Sequence, residues 1–325
     1  MNVSHVKDNK MSNLLKESKT YKPFHYPWAM QYAESHEKAH WGTWEAKLQE
    51  DVKQWKSKGL SDTEKLFITQ ILRIFTQSDV AVADNYVDQF LPIFRNNEIR
   101  NMLLSFANRE GTHQRAYALL NDTLGLDESE YAYFLSHKPM LDKIHNMQAI
   151  NPSDSTQTAY ALAQAVCNEG MSLFSAFVML LHFQQHGKMK GMCEVVEWSI
   201  KDESLHVEAM TKLYHTYVEE TQVKVSESDI KRLFESAVQL EDQVIDLIFG
   251  DIQVMESLTK VAVKTFIRYL ADRRLHQLNC TPIYHIEKNP LPWLDWIVNG
   301  VSFKNFFEGV VTDYSASGMT GEWGW

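Results

Sequence analysis

The chain has 325 residues, 44% of them hydrophobic, enough for a large buried core in one large or two ordinary domains. A net charge of −10, from 32 basic against 42 acidic residues, and the lack of a long basic run exclude a nucleic-acid-binding surface. Three cysteines (Cys167, Cys193, Cys280) are odd in number and far apart, which excludes a disulfide framework or a zinc knuckle. With a polar start, MNVSHVKDNKMSNLLKESK, that lacks a secretory apolar stretch, the expected location is a reducing cytoplasm.

Gly (13) and Pro (8) are scarce and alternating strand patterns are nearly absent, so apolar residues at a 3.6-residue spacing predict an all-α protein. Residues 1–20 are expected to be mobile. AESHEKAHW carries Glu37 and His40 in a polar stretch, read as a surface coincidence. A helix over 60–91 opens with Ser61 and Glu64 in capping-box spacing and runs to Pro92. Further helices follow over 96–122, 155–186, 189–220, 226–250 and 254–276. Within the third, TAYALAQAVCNEGMSLFSAFVMLLHF (158–183) approaches transmembrane length. Gln164, Asn168 and Glu169 in mid-span would be costly at bilayer depth, so the expectation is a core helix and no membrane partner. Glu169 is then a buried carboxylate in need of a partner. No Pro-, Gly- or Ser-rich linker divides the chain, which leaves one helical domain over 21–300 and a flexible tail over 301–325.

Glu-x-x-His occurs three times, at Glu37/His40, Glu110/His113 and Glu203/His206. The last two pairs lie in long amphipathic helices. Each follows a helix with its own acid in apolar company: Asp79 in IFTQSDVAVA and Glu169 in AVCNEGMSLF. The separations, 31 residues from Asp79 to Glu110 and 34 from Glu169 to Glu203, suit consecutive helices joined by a short turn and set level. Four carboxylates and two imidazoles in a core are prohibitive as bare charge, and two divalent cations turn that cost into binding. Oxygen and nitrogen donors without thiolate suit iron or manganese. A Glu from two helices and Glu-x-x-His from two more is the known pattern of ferritin-like dimetal bundles; here Asp79 replaces one Glu with a shorter arm. The bland alternative is a set of buried polar residues satisfied by hydrogen bonds.

NREGTHQRAY puts Glu110, His113 and Tyr117 at offsets 0, 3 and 7, within about 60° of one another around a helix. Tyr117 therefore sits one turn past a candidate ligand, where a dioxygen-activating cluster can take an electron and a proton from the phenol. Leu173, Phe174 and Phe177 are candidates for the apolar wall of that pocket.

At these residues the sequence resembles the small, radical-generating (beta) subunit of class I ribonucleotide reductase, from about Trp41 to the tail. Asp79, Glu110-x-x-His113, Tyr117, Glu169 and Glu203-x-x-His206 match the family's ligand and radical positions in order and spacing. The resemblance implies a ferritin-like bundle with two Fe or two Mn ions per chain, activated by an oxygen-derived oxidant. Asp79, Glu110 and His113 hold the metal nearer Tyr117; Glu169, Glu203 and His206 hold the other, with Glu110 and Glu203 bridging. HWGTWEAKLQEDVKQW matches a Trp–Asp–Trp spacing at Trp41, Asp51 and Trp55, with Trp41 as electron relay and Asp202 as the acid linking it to His113. The tail, KNFFEGVVTDYSASGMTGEWGW, resembles the segment that docks on the large (alpha) catalytic subunit. Tyr314 is its only tyrosine, and Trp323 and Trp325 are candidate anchors.

By the same resemblance the chain forms a homodimer, and an activating flavoprotein is a further partner that it allows. The nucleotide is expected on the large subunit, because this chain has no Gly-rich phosphate loop. The alternative within the fold is a ligand-binding dimetal oxidase not coupled to nucleotide reduction, which typically has Glu at the Asp79 position and no docking tail. An iron store does not need Tyr117, and a hydroxylase or desaturase does not need the Tyr117–Trp41–Tyr314 series.

Overall fold

In the computed structural model, which describes residues 12–148, 150 and 152–295, the all-α expectation holds, and each long helix begins where a side chain satisfies its free N–H groups. The Ser61 hydroxyl accepts from Glu64 N at 3.2 Å and Glu64 Oε2 accepts from Ser61 N at 2.8 Å, which starts α3 (Asp62–Asp84) after α1 (Pro27–Lys38) and α2 (Gln49–Lys56). After the short turn α4 (Leu91–Ile93), Asn96 Oδ1 accepts from Glu98 N and Ile99 N to open α5 (Asn97–Leu124). Gly125 closes it at φ 74°, a left-handed backbone that glycine adopts without strain. Then come α6 (Lys138–Met147), α7 (Ser155–Cys167), α8 (Phe174–Gln185) and α9 (Lys190–Thr221). No side chain of its own segment caps α9. The buried Asp51 carboxylate arrives from α2 and accepts from Gly191 N at 3.1 Å and Met192 N at 2.6 Å. Gly191 is needed there, since a Cβ would lie 2.5 Å from the Lys47 carbonyl.

Two of the predicted helices are interrupted. The first gives way to a π-helical segment, Asn85–Phe90, and the helix expected over 155–186 is broken by a second, Asn168–Ser172. A wider turn of this kind moves the following side chains off the α-helical register. The last predicted helix, 254–276, is corrected: Val254–Met255 (β1) pairs antiparallel with Leu258–Thr259 (β2), and α11 (Lys260–Gln277) starts only at the Thr259 cap. Glu256 at φ 54° makes the reversal that a helix could not. Before it, α10 spans Glu227–Phe249. From Ser12 on, the chain start is anchored where mobility was expected over 1–20: the Ser12 hydroxyl donates to Glu220, and the Leu14 carbonyl accepts from Arg95 N and Asn96 N.

The layers follow the apolar faces. Helix α3 packs on α5, α1 on α5, and α7 and α8 on α9, while α10 and α11 close the far side. Apart from the half-buried Tyr160, the membrane-length stretch is buried inside the protein, as a core helix requires. Its π segment is braced from outside by two buried cations: Lys143 Nζ donates to the Ser172 carbonyl at 2.6 Å and Arg274 Nε to the Gly170 carbonyl at 3.0 Å. Lys143 Nζ also lies 2.7 Å from Glu241 Oε1, a buried ion pair between α6 and α10. Replacing Lys143 by Met leaves Glu241 without its counter-charge. Urea unfolding is expected to show a loss of about 3–5 kcal/mol, with Lys143→Met/Glu241→Leu recovering most of it.

Candidate metal centre

The four acids and two imidazoles singled out by spacing converge. Asp79 comes from α3, Glu110 and His113 from α5, Glu169 from the second π segment, and Glu203 and His206 from α9; all are buried. They fall into two groups, Asp79–Glu110–His113 and Glu110–Glu169–Glu203–His206. Within each, one donor atom per residue lies within 4.8 Å of all the others. Glu110 belongs to both. Its Oε2 is 3.2 Å from His113 Nδ1 and its Oε1 3.2 Å from His206 Nδ1. Glu203 divides in the same way, with Oε1 3.3 Å from His113 Nδ1 and Oε2 3.5 Å from His206 Nδ1. Each glutamate thus extends one oxygen toward each imidazole, which is how a bridging carboxylate must lie.

These distances do not make a satisfied hydrogen-bond network. One N–H at His206 Nδ1 faces three carboxylates, Glu169 Oε2 at 3.0 Å among them. Asp79 Oδ2, Glu110 Oε1 and both Glu203 oxygens are buried without a hydrogen-bond partner. Orphaned anionic oxygens around inward-facing nitrogens are the donor set of a divalent cation pair, so the residues present fit the group that the spacing implies.

The outward edges of the imidazoles are held. His113 Nε2 donates to Asp202 Oδ2 at 3.1 Å, and Trp41 Nε1 donates to the same oxygen at 2.7 Å with its ring stacked on His113, centroids 5.7 Å apart. Arg109 Nη1 lies 3.0 Å from the Asp202 carboxylate, one residue before Glu110 as Asp202 is one before Glu203. Burial would raise Asp202, but His113, Arg109 and His36 around it hold its carboxyl well below the usual range. On the other side His206 Nε2 meets His36 Nε2 at 3.2 Å. Burial and then His206 push His36 well below an ordinary histidine, so a neutral His36 accepts from His206 and donates from Nδ1 to Ser105 Oγ at 2.8 Å. With Nε2 committed, Nδ1 is the atom each imidazole offers inward.

Burial pushes Asp79 well above an ordinary carboxyl and Glu169 up to about 7. Glu110 is equally buried, yet His113 and His206 overcome that and bring it down to about 2. Tyr117 is fully buried; burial, then the Asp79 charge, raises its pKa well above that of a free phenol, so it stays protonated. Its hydroxyl donates to Ser199 Oγ at 2.7 Å and its ring stacks on Phe75 at 4.2 Å, with Phe177 behind Phe75 at 5.1 Å. Of the expected apolar wall, Phe177 therefore stands in a second layer.

Glu37 and His40 are exposed, as expected of a surface coincidence. Tyr314, Trp323 and Trp325 lie outside the described residues. Four residues at the site escaped the sequence reading: His36, Arg109, Ser199 and Tyr86. Tyr86 carried a usable signal, because it lies seven residues after Asp79 as Tyr117 lies seven after Glu110. Ser199, one turn before Glu203, faces the same way as that ligand. Arg109 and His36 carried none beyond adjacency to a ligand and to a discounted motif.

A family model described as ribonucleotide reductase, small chain, matches residues 18–290, which include the whole cluster. A probable ribonucleoside-diphosphate reductase small subunit of Invertebrate iridescent virus 3 is 39% identical over 96% of this chain and 88% of its own. The ribonucleoside-diphosphate reductase subunit beta of Chlamydia pneumoniae is 30% identical over 91% of this chain and 90% of its own. Among solved structures, the ribonucleotide reductase R2 subunit from Clostridium botulinum superposes with a TM-score of 0.77 over 84% of this chain and 88% of that one, at 19% identity. The dimanganese(II)-NrdF of Streptococcus sanguinis does so with a TM-score of 0.73 over 88% and 100%, at 18% identity. At such identities the structures speak for the fold, a ferritin-like helical bundle. The sequence matches carry the membership: the chain belongs to the ribonucleotide reductase small-chain family.

Proposed function

We propose that this chain is the radical-generating beta subunit of a class I ribonucleoside-diphosphate reductase, with Tyr117 as the residue that stores the radical. The observation that carries this reading is a buried set of six donor residues, four of whose carboxylate oxygens have no hydrogen-bond partner, next to a fully buried phenol. Asp79, Glu110 and His113 would hold one divalent ion and Glu169, Glu203 and His206 the other, with Glu110 and Glu203 between them. The metal pair, iron or manganese, supplies one-electron oxidising power once an oxygen-derived oxidant has reacted with it.

The chain's own residues do the remainder. Tyr117 would give one electron to the oxidised metal pair and its hydroxyl proton to the reduced oxygen-derived oxidant, becoming a neutral phenoxyl radical; Phe75 and Phe177 keep water from it, and Ser199 fixes its hydroxyl. The buried Trp41, Asp202 and His113 form one hydrogen-bonded line that ends on the ring of a proposed ligand, a route for an electron to the cluster. In the proposed assembly the tail docks on the large subunit and Tyr314 continues that route to a cysteine there, where the ribonucleotide is reduced. A homodimer of this chain and an activating flavoprotein rest on the family resemblance alone.

Metal loading is expected to stabilise the fold, by about 2.7 kcal/mol per site at a metal concentration one hundredfold above Kd. Thermal unfolding with Fe(II) or Mn(II), reversed by a chelator, measures this, and an unshifted midpoint contradicts the metal site. After anaerobic loading and exposure to oxygen, low-temperature electron paramagnetic resonance is expected to show a tyrosyl signal that Tyr117→Phe abolishes. Tyr86→Phe belongs beside it, because Tyr86 is another buried phenol at the cluster. A Tyr117→Phe protein with the same signal refutes the role given to Tyr117.

A further inference from the structure

Tyr86 is buried at the far side of the cluster from Tyr117 along the ligand set, and its hydroxyl donates to Glu169, 2.7 Å from Oε2 and 2.9 Å from Oε1. Both ends of this contact stand on π-helical segments, Tyr86 as second residue of Asn85–Phe90 and Glu169 as second residue of Asn168–Ser172. The residue before each is an asparagine. Asn85 Nδ2 and Asn168 Nδ2 donate to one and the same acceptor, the Met147 carbonyl, each at 2.9 Å. Gln89 braces Asn85 at 2.9 Å, and Arg274 holds the Gly170 carbonyl beside Glu169. At Gly170 a Cβ would lie 2.6 Å from Arg274 Nε, so the close approach needs glycine. Two irregular turns are thus clamped to a common point so that a phenol and a carboxylate meet.

The contact also sets Glu169 apart from the other acids. Glu110, Glu203 and Glu169 all face imidazoles, Glu169 through His206 Nδ1 at 3.0 Å, but Glu169 also receives a neutral, directional O–H across both of its oxygens, which the other three acids do not. A hydroxyl that straddles a carboxylate restrains its rotation without adding charge, which is what a residue behind a metal ligand does. We propose that Tyr86 is a positioning residue for the second metal position. It holds the Glu169 carboxylate in the orientation that an ion bound by Glu110, Glu169, Glu203 and His206 requires, and so sets the affinity of that position relative to the Asp79–Glu110–His113 one. This inference rests on the dimetal reading above.

The test uses the full chain, freed of metal and titrated with Mn(II) alone, followed by calorimetry and by the electron paramagnetic resonance of free and bound Mn(II). The wild type is expected to take up two ions whose signals are spin-coupled. In Tyr86→Phe the second ion is expected to bind about 10- to 100-fold more weakly while the first is unchanged. At intermediate Mn(II) a mononuclear signal then replaces the coupled one. A loosened fold would weaken both positions alike and lower the unfolding midpoint of the metal-free protein; that result, or two unchanged affinities, overturns the role of Tyr86 while leaving the dimetal reading intact. A wild type that binds fewer than two ions overturns the dimetal reading and this inference with it.

Discussion

Four carboxylates and two imidazoles face one another in a core that water does not reach, and the rest of the bundle is arranged around the cost of that arrangement. Two like charges about 4 Å apart repel by about 4 kcal/mol at an effective dielectric of ~20, and the donor atoms of each group here lie within 4.8 Å of one another. The fold cannot relax by turning a side chain outward, because each acid leaves a helix whose neighbours on both sides are packed. Protons on the imidazoles meet part of the demand: burial opposes charge on both, yet Glu110, Asp202 and Glu203 raise His113, and Glu110, Glu169 and Glu203 raise His206, well above ordinary histidines. The oxygens left over at Asp79, Glu110 and Glu203 mark what protons alone do not satisfy.

Around the six donors lies a ring of residues that hold them in place rather than bind. Arg109 and Asp202 are a buried ion pair between α5 and α9, each immediately before a glutamate of the cluster, so the contact that locks the two helices also sets the register of Glu110 against Glu203. Asp202 collects Trp41, His113 and Arg109 on one carboxylate. Its low pKa follows from that crowd of donors and keeps it an acceptor. Asp51 works at longer range by closing the N-terminus of α9, whose first turns lead to Ser199, Asp202 and Glu203.

The two halves of the site repeat one plan but are not built alike. The Asp79 side has a short arm and an apolar phenol pocket of Tyr117 and Phe75. The Glu169 side has a π segment, two cations on its carbonyls and a phenol bonded directly to the ligand. An extra residue in a turn cannot be seen in a hydrophobic pattern that stays apolar all round, which is why the helix over 155–186 reads as continuous and is not.

The amino-acid sequence alone determined the class of fold and which four acids and two imidazoles converge in its core. Apolar spacing, two Glu-x-x-His pairs and two lone acids at matching separations are local or periodic features, and such features survive in one dimension. Trp41 and Asp202, read through the family resemblance, came to lie on one hydrogen bond 161 residues apart in sequence. What only the tertiary structure decided is who stands behind the ligands: His36 against His206, Arg109 against Asp202, Ser199 under Tyr117, Tyr86 on Glu169. These pairings join residues 82 to 170 positions apart, or turn on which way a π segment swings one side chain; no spacing rule encodes either, because they exist only once separate helices have packed.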